Sequence, residues 1–279
     1  MPKKRLDQML VTLGLVPTRS QAESWVRLGK AFVNGQQIDK AGHMVAADAK
    51  VELRGAEQYV SRAALKLASV AHMFGLDFKD KVVLDVGSST GGFTDYALQH
   101  GARKIIAIEV GTNQLHPSLR GNEKIELHEQ TDIRNVMLAG PVGQSFPHRA
   151  HDAPRDGGPP MPATRSEVVL SETPDIIVID VSFISLRDIL PHVATLAELQ
   201  TQIVAMVKPQ FEAANDSFKH KGVIKNDRMR RDILKSFEQW ATKRFIIVQK
   251  ADSSIAGAKG NLERFYVLKI AGSQSNTSI

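Results

Sequence analysis

The sequence predicts an α/β fold: a seven-stranded, mostly parallel, doubly wound sheet, preceded by a small α+β domain rich in positive charge. Three observations carry this. Short apolar runs alternate with helix-length segments between residues 82 and 270, a glycine-rich turn follows the first run, and the charge balance changes near residue 54. With 279 residues, 42% of them hydrophobic, the chain can bury one sizeable core and still carry an accessory domain.

The accessory domain comes first. Residues 1–54 hold nine Lys or Arg against five acids, a net +4, which leaves +2 for the other 225 residues. A basic domain beside a near-neutral one suggests that the first grips a polyanion and the second acts on it. Within 5–29, Leu6, Met9, Leu10 and Leu13 fall on one helix face, and Ala22, Trp25, Val26 and Leu28 on another. Gly14 and Pro17 separate the two helices, and Thr18 or Ser20 can cap the second. Ala31–Val33 and Val51–Leu53 are expected as short strands flanking the turn Asn34-Gly35, whose residues accept positive φ.

A linker is expected at 55–58, and residues 59–75 read as an amphipathic helix with Ala63, Leu67 and Val70 inward. Seven strands follow at Val82–Leu84, Lys104–Glu109, Ile125–Leu127, Ile176–Ile179, Ile203–Val207, Phe245–Val248 and Phe265–Ile270, with helices over 91–100, 187–200 and 227–242. Residues 140–165 contain ten Gly or Pro in 26 positions and are expected as a flexible insert carrying Arg149, Arg155 and Arg165. Its His148 and His151 are not expected to bind a metal, and no metal site is expected elsewhere. Residues 273–279 are expected as a disordered tail.

The turn Asp85-Val86-Gly87-Ser88-Ser89-Thr90-Gly91-Gly92 permits close backbone approach to a ligand, because its glycines lack a Cβ. Glu109 ends the second strand, 24 residues beyond Asp85. An acid there hydrogen-bonds the ribose hydroxyls of an adenosine-bearing ligand. A nicotinamide dehydrogenase shares both features. The spacing Gly-x-x-x-Gly-Gly after an acid differs, however, from the G-x-G-x-x-G that seats a pyrophosphate on a helix end. Asp85 suits a cation, such as the amino group or sulfonium of S-adenosylmethionine, and Asp132 is placed to reach the adenine edge. Either acid can also serve as a helix cap.

Two resemblances add to this reading. Arg5-Leu6-Asp7, Arg19-Ser20-Gln21-Ala22, Arg27-Leu28-Gly29-Lys30 and Val33-Asn34-Gly35 resemble the RNA-binding αL module of ribosomal small-subunit protein four, over residues 3–54. That implies phosphate contacts from Arg5, Arg19, Arg27 and Lys30. Residues 59–67 (Tyr-Val-Ser-Arg-Ala-Ala-Leu-Lys-Leu), 84–94 (Leu-Asp-Val-Gly-Ser-Ser-Thr-Gly-Gly-Phe-Thr), 179–186 (Ile-Asp-Val-Ser-Phe-Ile-Ser-Leu) and 207–212 (Val-Lys-Pro-Gln-Phe-Glu) resemble the hemolysin-A-like (TlyA) RNA methyltransferases. Those proteins join the same module to a Rossmann-like, S-adenosylmethionine-dependent methyltransferase domain of the FtsJ type, here expected over 59–272.

The resemblance implies a Lys-Asp-Lys-Glu constellation at Lys66, Asp180, Lys208 and Glu263, suited to methylating a ribose 2′-hydroxyl of ribosomal RNA. Lys208 is expected as the base, Lys66 and Asp180 as substrate positioners and Glu263 as support. Burial and a neighbouring like charge both favour a neutral lysine, which Lys208 beside Lys66 would provide. The cofactor, S-adenosylmethionine, is expected on Asp85, Gly87, Ser88, Ser89, Thr90, Gly91, Gly92, Phe93, Glu109, Asp132 and Asp180, and Arg62 is expected as a further RNA contact. The Gly/Pro-rich insert is longer than the compact connection expected before Asp180.

Other classes are weighed on the same residues. The absence of cysteine excludes disulfides, thiolate metal sites and a cysteine nucleophile. No run approaches the roughly 18 apolar residues that span a bilayer, and the start lacks the apolar stretch of a secretory signal, so a cytoplasmic protein without membrane or DNA partners is expected. A catalytically idle ribosome-associated protein is the main alternative. A pore-forming hemolysin finds no barrel-like alternation. Base-nitrogen methylation would call for a Pro-Pro-Tyr or Pro-Pro-Phe signature, and Asp180-Val181-Ser182-Phe183 is not one.

Overall fold

The computed structural model describes residues 3–16, 18–27, 29–54, 59–139, 167–213, 223–224, 226–257 and 260–271. The expected linker, the insert with its histidines and arginines, and the expected tail lie outside the described residues.

The N-terminal domain runs β1 (Lys3–Arg5), α1 (Leu6–Thr12), α2 (Arg19–Arg27), β2 (Ala31–Val33), β3 (Gln36–Ile38), β4 (Met44–Ala46) and β5 (Val51–Leu53). Strand β1 pairs antiparallel with β4, and β2 is the middle strand of β3-β2-β5. This corrects one expectation: the Asn34-Gly35 turn joins β2 to β3, and Val51–Leu53 pairs along the opposite edge of β2. Asn34 at φ +49 and Gly35 at φ +82 supply the two positive angles that a two-residue hairpin requires. Gln36 and Gln37 gave no apolar signal, so β3 was not legible.

The larger domain runs α3 (Arg62–Ala71), β6 (Val82–Val86), α4 (Gly92–Gln99), β7 (Lys104–Ile108), β8 (Ile125–His128), β9 (Val136–Leu138), β10 (Val168–Leu170), β11 (Ile176–Ile179), α5 (Leu186–Val193), β12 (Gln202–Val207), α6 (Pro209–Glu212), α7 (Asp227–Ala241), β13 (Phe245–Asp252) and β14 (Arg264–Ile270). The sheet order is β13-β14-β12-β11-β6-β7-β8, with β14 antiparallel to both neighbours and β12, β11, β6, β7 and β8 mutually parallel. Helix α3 starts later than expected because the Ser61 hydroxyl accepts a hydrogen bond from Ala63 N–H at 3.2 Å and caps it. Helix α5 is shorter than expected and passes into a 3₁₀ turn over Ala194–Leu196. The edge strand β13 runs on to Asp252, with exposed polar positions that hid it from the apolar pattern. The short parallel pair β9 and β10 brackets the insert.

Burial alternates along the parallel strands. Val83, Ile105, Val178 and Val204 face one core, while Leu84, Ile106, Ile177 and Ile203 face the other. That is why these strands read as continuous apolar runs. The first core also takes in Leu65 and Leu67 of α3 and Phe93 of α4, and it extends to Leu6, Trp25 and Val26 of the N-terminal domain. Trp25 stacks on Tyr59 (centroids 6.3 Å, 8° between planes), Tyr59 meets Tyr96 at 5.6 Å, and the buried Asp95 accepts from Val60 N–H at 2.7 Å.

Candidate active site

The residues immediately after β6, β7, β11 and β12 are Gly87, Glu109, Asp180 and Lys208. Parallel strands bring their carboxyl ends to one edge of the sheet, where ligands of such folds bind. A cavity of about 390 Å³ opens there, with Gly87, Glu109, Asp132, Asp180, Ser182 and Phe183 in its walls beside Ile108, Val110, Ile133 and Ile184. A second cavity, about 310 Å³, lies in the N-terminal domain, walled largely by β3, β4 and neighbouring turns, and holds no comparable group of acids.

The glycine turn divides its work. Gly87 and Ser89 line the cavity, but Gly91, Gly92 and the buried Ser88 and Phe93 do not. A Cβ on Gly92 would stand 2.3 Å from Ser61 Oγ, so this glycine lets α4 dock on the start of α3. Phe93 packs on Phe265 at 6.1 Å within the core. Thr90 holds the following loop, its carbonyl accepting from His116 N–H at 3.2 Å.

The acids are held in distinct ways. Glu109 is buried and accepts from Ser89 N–H (2.9 Å) and Gly111 N–H (2.8 Å), with Gln114 Nε2 at 3.4 Å. Asp132 lines the cavity yet also caps the 3₁₀ turn Ile133–Asn135, accepting from Arg134 N–H at 2.9 Å and from its guanidinium at 2.7 and 3.0 Å. Asp85 is no helix cap. It is 1% exposed, its Oδ2 accepts from Thr94 Oγ1 at 2.7 Å, and its Oδ1 is buried without a partner. Burial lifts its pKa to about 7, opposed by the Thr94 hydroxyl and reinforced by the negative charges of Asp180 and Glu109. Asp85 is not among the residues lining the cavity and lies just behind the wall formed by Val86 and Gly87; an orphaned buried carboxylate oxygen gains most from a nearby positive charge.

At the reactive end, Lys208 Nζ lies 2.6 Å from Asp180 Oδ1 and donates to Ser182 Oγ at 2.8 Å. Lys66 Nζ lies 2.6 Å from Glu263 Oε2. Both acid contacts are close ion pairs rather than aligned hydrogen bonds. Val207 pairs with Arg264, and the next antiparallel step sets Lys208 beside Glu263, so the two ion pairs are joined through adjacent strand ends. Lys66 is therefore not a bare like charge beside Lys208; each ammonium has its own carboxylate.

Several residues of the resembling motifs take up site roles that the sequence did not assign to them. Phe183 is 91% exposed at φ +67 and meets Phe211 at 5.3 Å, 47° between planes. Such an angle in a bulky residue is strained and is found where the surroundings enforce it. Glu212, 1% exposed, accepts from Ser185 Oγ (2.6 Å) and Leu186 N–H (2.7 Å), which ties the start of α5, at the end of the loop after β11, to α6 after β12. Burial raises the Glu212 pKa despite these hydrogen bonds.

Of the expected RNA contacts, Arg5 and Arg19 converge on the fully buried Asp7, with contacts of 2.8 to 3.1 Å. Burial pushes the Asp7 carboxyl up, but the hydrogen bonds from Arg5 and Arg19 outweigh it and hold its pKa low. Arg27 and Lys30 are exposed. Arg62 donates to the Ala256 carbonyl at 2.9 Å, tying α3 to the segment ahead of Glu263.

Comparison with known proteins identifies the two domains. Residues 59–270 match the FtsJ-like methyltransferase family and residues 4–51 match the S4 domain. The chain is 40% identical over 212 residues to the 23S rRNA (cytidine-2′-O)-methyltransferase TlyA of Campylobacter jejuni, covering 75% of this chain and 70% of that one. It is 32% identical to Hemolysin A of Brachyspira hyodysenteriae, covering 93% and 97%. A solved structure from Streptococcus thermophilus, described as a hemolysin, superposes with a TM-score of 0.62 at 34% identity over 98% of this chain and 90% of that one.

Proposed function

The chain belongs to the FtsJ-like methyltransferases and carries an S4 domain ahead of that fold, and from this premise we propose that it is an S-adenosylmethionine-dependent methyltransferase of ribosomal RNA, acting on a ribose 2′-hydroxyl. The observation that carries the reading is the Lys208–Asp180 pair at the edge of a cavity whose other walls include Gly87 and Glu109. S-adenosylmethionine supplies an electrophilic methyl on a sulfonium and leaves as a neutral thioether. Asp85 suits its positive charge, because the orphaned Oδ1 and the raised pKa both favour a cation nearby. Glu109 suits the adenosine ribose, and the apolar side chains Ile108, Val110 and Ile133 suit the adenine.

A ribose hydroxyl is a weak nucleophile until its proton is taken. Lys208 is the group for that task, held by Asp180 and Ser182, and the Lys66–Glu263 pair fixes the charge beside it. Phe183 and Phe211 offer an exposed aromatic surface on which an unstacked base can lie. Arg5, Arg19, Arg27 and Lys30 grip RNA phosphates from the S4 domain. A ribosomal RNA substrate supports a cytoplasmic location. Hemolysis is a weaker reading: among the described residues no helix is long and apolar enough to cross a membrane.

The test is methyl transfer to ribosomal RNA, with the modified position mapped by mass spectrometry, using the parent protein, Lys208→Ala and Asp180→Ala. Loss of the base should lower kcat by about 10² to 10⁴. Unimpaired turnover in both variants would sink the assignment.

A further inference from the structure

We propose that Ser182 is a positioning residue that fixes the rotation of the Lys208 amine, leaving one defined position on Nζ for the substrate proton. The inference rests on the reading of Lys208 as the base, and goes beyond it by naming what aims that base.

A lysine amine is a compact group on a flexible stem, and it spins freely about its last carbon–nitrogen bond. One acceptor sets one direction and leaves that spin unresolved. A second acceptor, off the axis of the first, removes it. Lys208 has two such neighbours: Ser182 Oγ accepts its hydrogen bond at 2.8 Å, and Asp180 Oδ1 stands in close ion-pair contact at 2.6 Å. A neutral amine has two N–H bonds and one lone pair. With one N–H donated to Ser182 Oγ and Asp180 Oδ1 in close contact on another side, the lone pair is confined to the position that remains. The 2′-hydroxyl proton moves there, making Nζ an ammonium with three hydrogens, and it passes to water after product leaves.

The backbone around Ser182 is built for this contact. Asp180 is the first residue after β11, and Ser182 follows it by two positions in the cavity wall. The chain then turns through Phe183 at φ +67, a strained angle for a bulky residue. Glu212 secures the next part of the same loop through Ser185 and Leu186, so the Ser182 hydroxyl is presented from a segment tied to the β12 side of the cleft. The charged groups around Lys208 are Asp180 directly, and Glu263 with its partner Lys66 across the strand ends. Ser182 adds direction without adding charge.

The experiment compares full-length parent, Ser182→Ala, Ser182→Thr and Lys208→Ala. Ser182 is exposed, so the truncation removes no core contact, and the Thr variant restores the hydroxyl. Ser182→Ala should lower kcat about 10-fold to 100-fold, the scale of a misaimed catalytic group. KM for RNA should stay within about threefold, the split expected when only the transition state is affected. Ser182→Thr should recover most of kcat. Affinity for S-adenosylhomocysteine by calorimetry should fall by less than kcat does, although Ser182 lines the cavity. Without cofactor, acylation of Lys208 by an activated ester, read by peptide mass spectrometry, should be several-fold faster in Ser182→Ala, because the amine is released from one acceptor. A Ser182→Ala protein with parental kcat and parental labelling, or a Thr variant no better than Ala, overturns the proposal. If Lys208→Ala is also fully active, it is the reading of Lys208 as base that fails; if Lys208→Ala is dead and Ser182→Ala is normal, only the role of Ser182 fails.

Discussion

A Cβ on Gly87 would lie 2.9 Å from the carbonyl oxygen of Asp180, so the glycine turn and the end of β11 meet through bare main chain. Gly87 also sits at φ +80, where a side chain costs about 1 to 3 kcal/mol of strain. Gly87→Ala must therefore push the turn away from Asp180. The expected result is at least about a tenfold loss of S-adenosylhomocysteine affinity, the equivalent of roughly 1.4 kcal/mol. Calorimetry showing parental affinity would contradict it.

Asp85 gives a pH dependence whose sign can be worked out. Its carboxyl titrates at about 7 in the folded protein against an ordinary 3.8. Below about pH 4 it is protonated in both folded and unfolded chains. Between there and about 7 the unfolded chain has released a proton that the fold retains, so this group makes stability fall as pH rises through that window. A bound cation favours the ionised form, so cofactor affinity should weaken by up to about tenfold per unit as pH drops below 7. Asp85→Asn should flatten both trends and weaken binding. Melting curves and calorimetry in buffers of different protonation heat measure the two effects.

Phe183 contributes almost nothing to the core, being 91% exposed. If its ring supports a base, Phe183→Ala should raise KM for RNA by about 5- to 150-fold, the 1 to 3 kcal/mol typical of base–aromatic stacking. Phe183→Tyr should stay near parental, and cofactor affinity should not move in either variant. Filter binding and steady-state kinetics separate these outcomes.

Arg5 and Arg19 share the Asp7 carboxylate, which holds two half-exposed guanidiniums side by side. Arg5→Ala and Arg19→Ala should each weaken RNA binding with little dependence on sequence and reduce the slope of log affinity against log salt by about one. Asp7→Asn should weaken binding too, although the basic side chains remain. An unchanged salt slope in all three would remove them from the RNA surface.

The sheet was legible because strands buried on both faces carry unbroken apolar runs, and Gly87 and Glu109 followed from where those runs end, whereas Asp180 and Lys208 came from the family resemblance. The polar strand β3 and the exposed half of β13 were hidden for the same reason in reverse. The ion-pair partition was only partly legible: spacing cannot say that Lys66 lies against Glu263 while Lys208 takes Asp180. Ser182, Phe183 and Glu212 act through loop geometry, above all the left-handed turn at Phe183, and a phenylalanine there carries no signal of it. The dual character of Asp132, cavity wall and cap at once, likewise needed coordinates.

Trp25, Tyr59 and Tyr96 form a column of rings between the two domains, and Asp95 clamps the chain at Val60 beside it. Its consequence is metrical. Under the proposed function, the basic face of the N-terminal domain and the cavity edge rest on one continuous apolar cluster, so this seam sets the distance between bound phosphates and a reacting ribose. Such a seam is a caliper set by its packing, and Tyr59→Ala is expected to change which nucleotide is methylated, read by mapping the modified position, before it changes the rate.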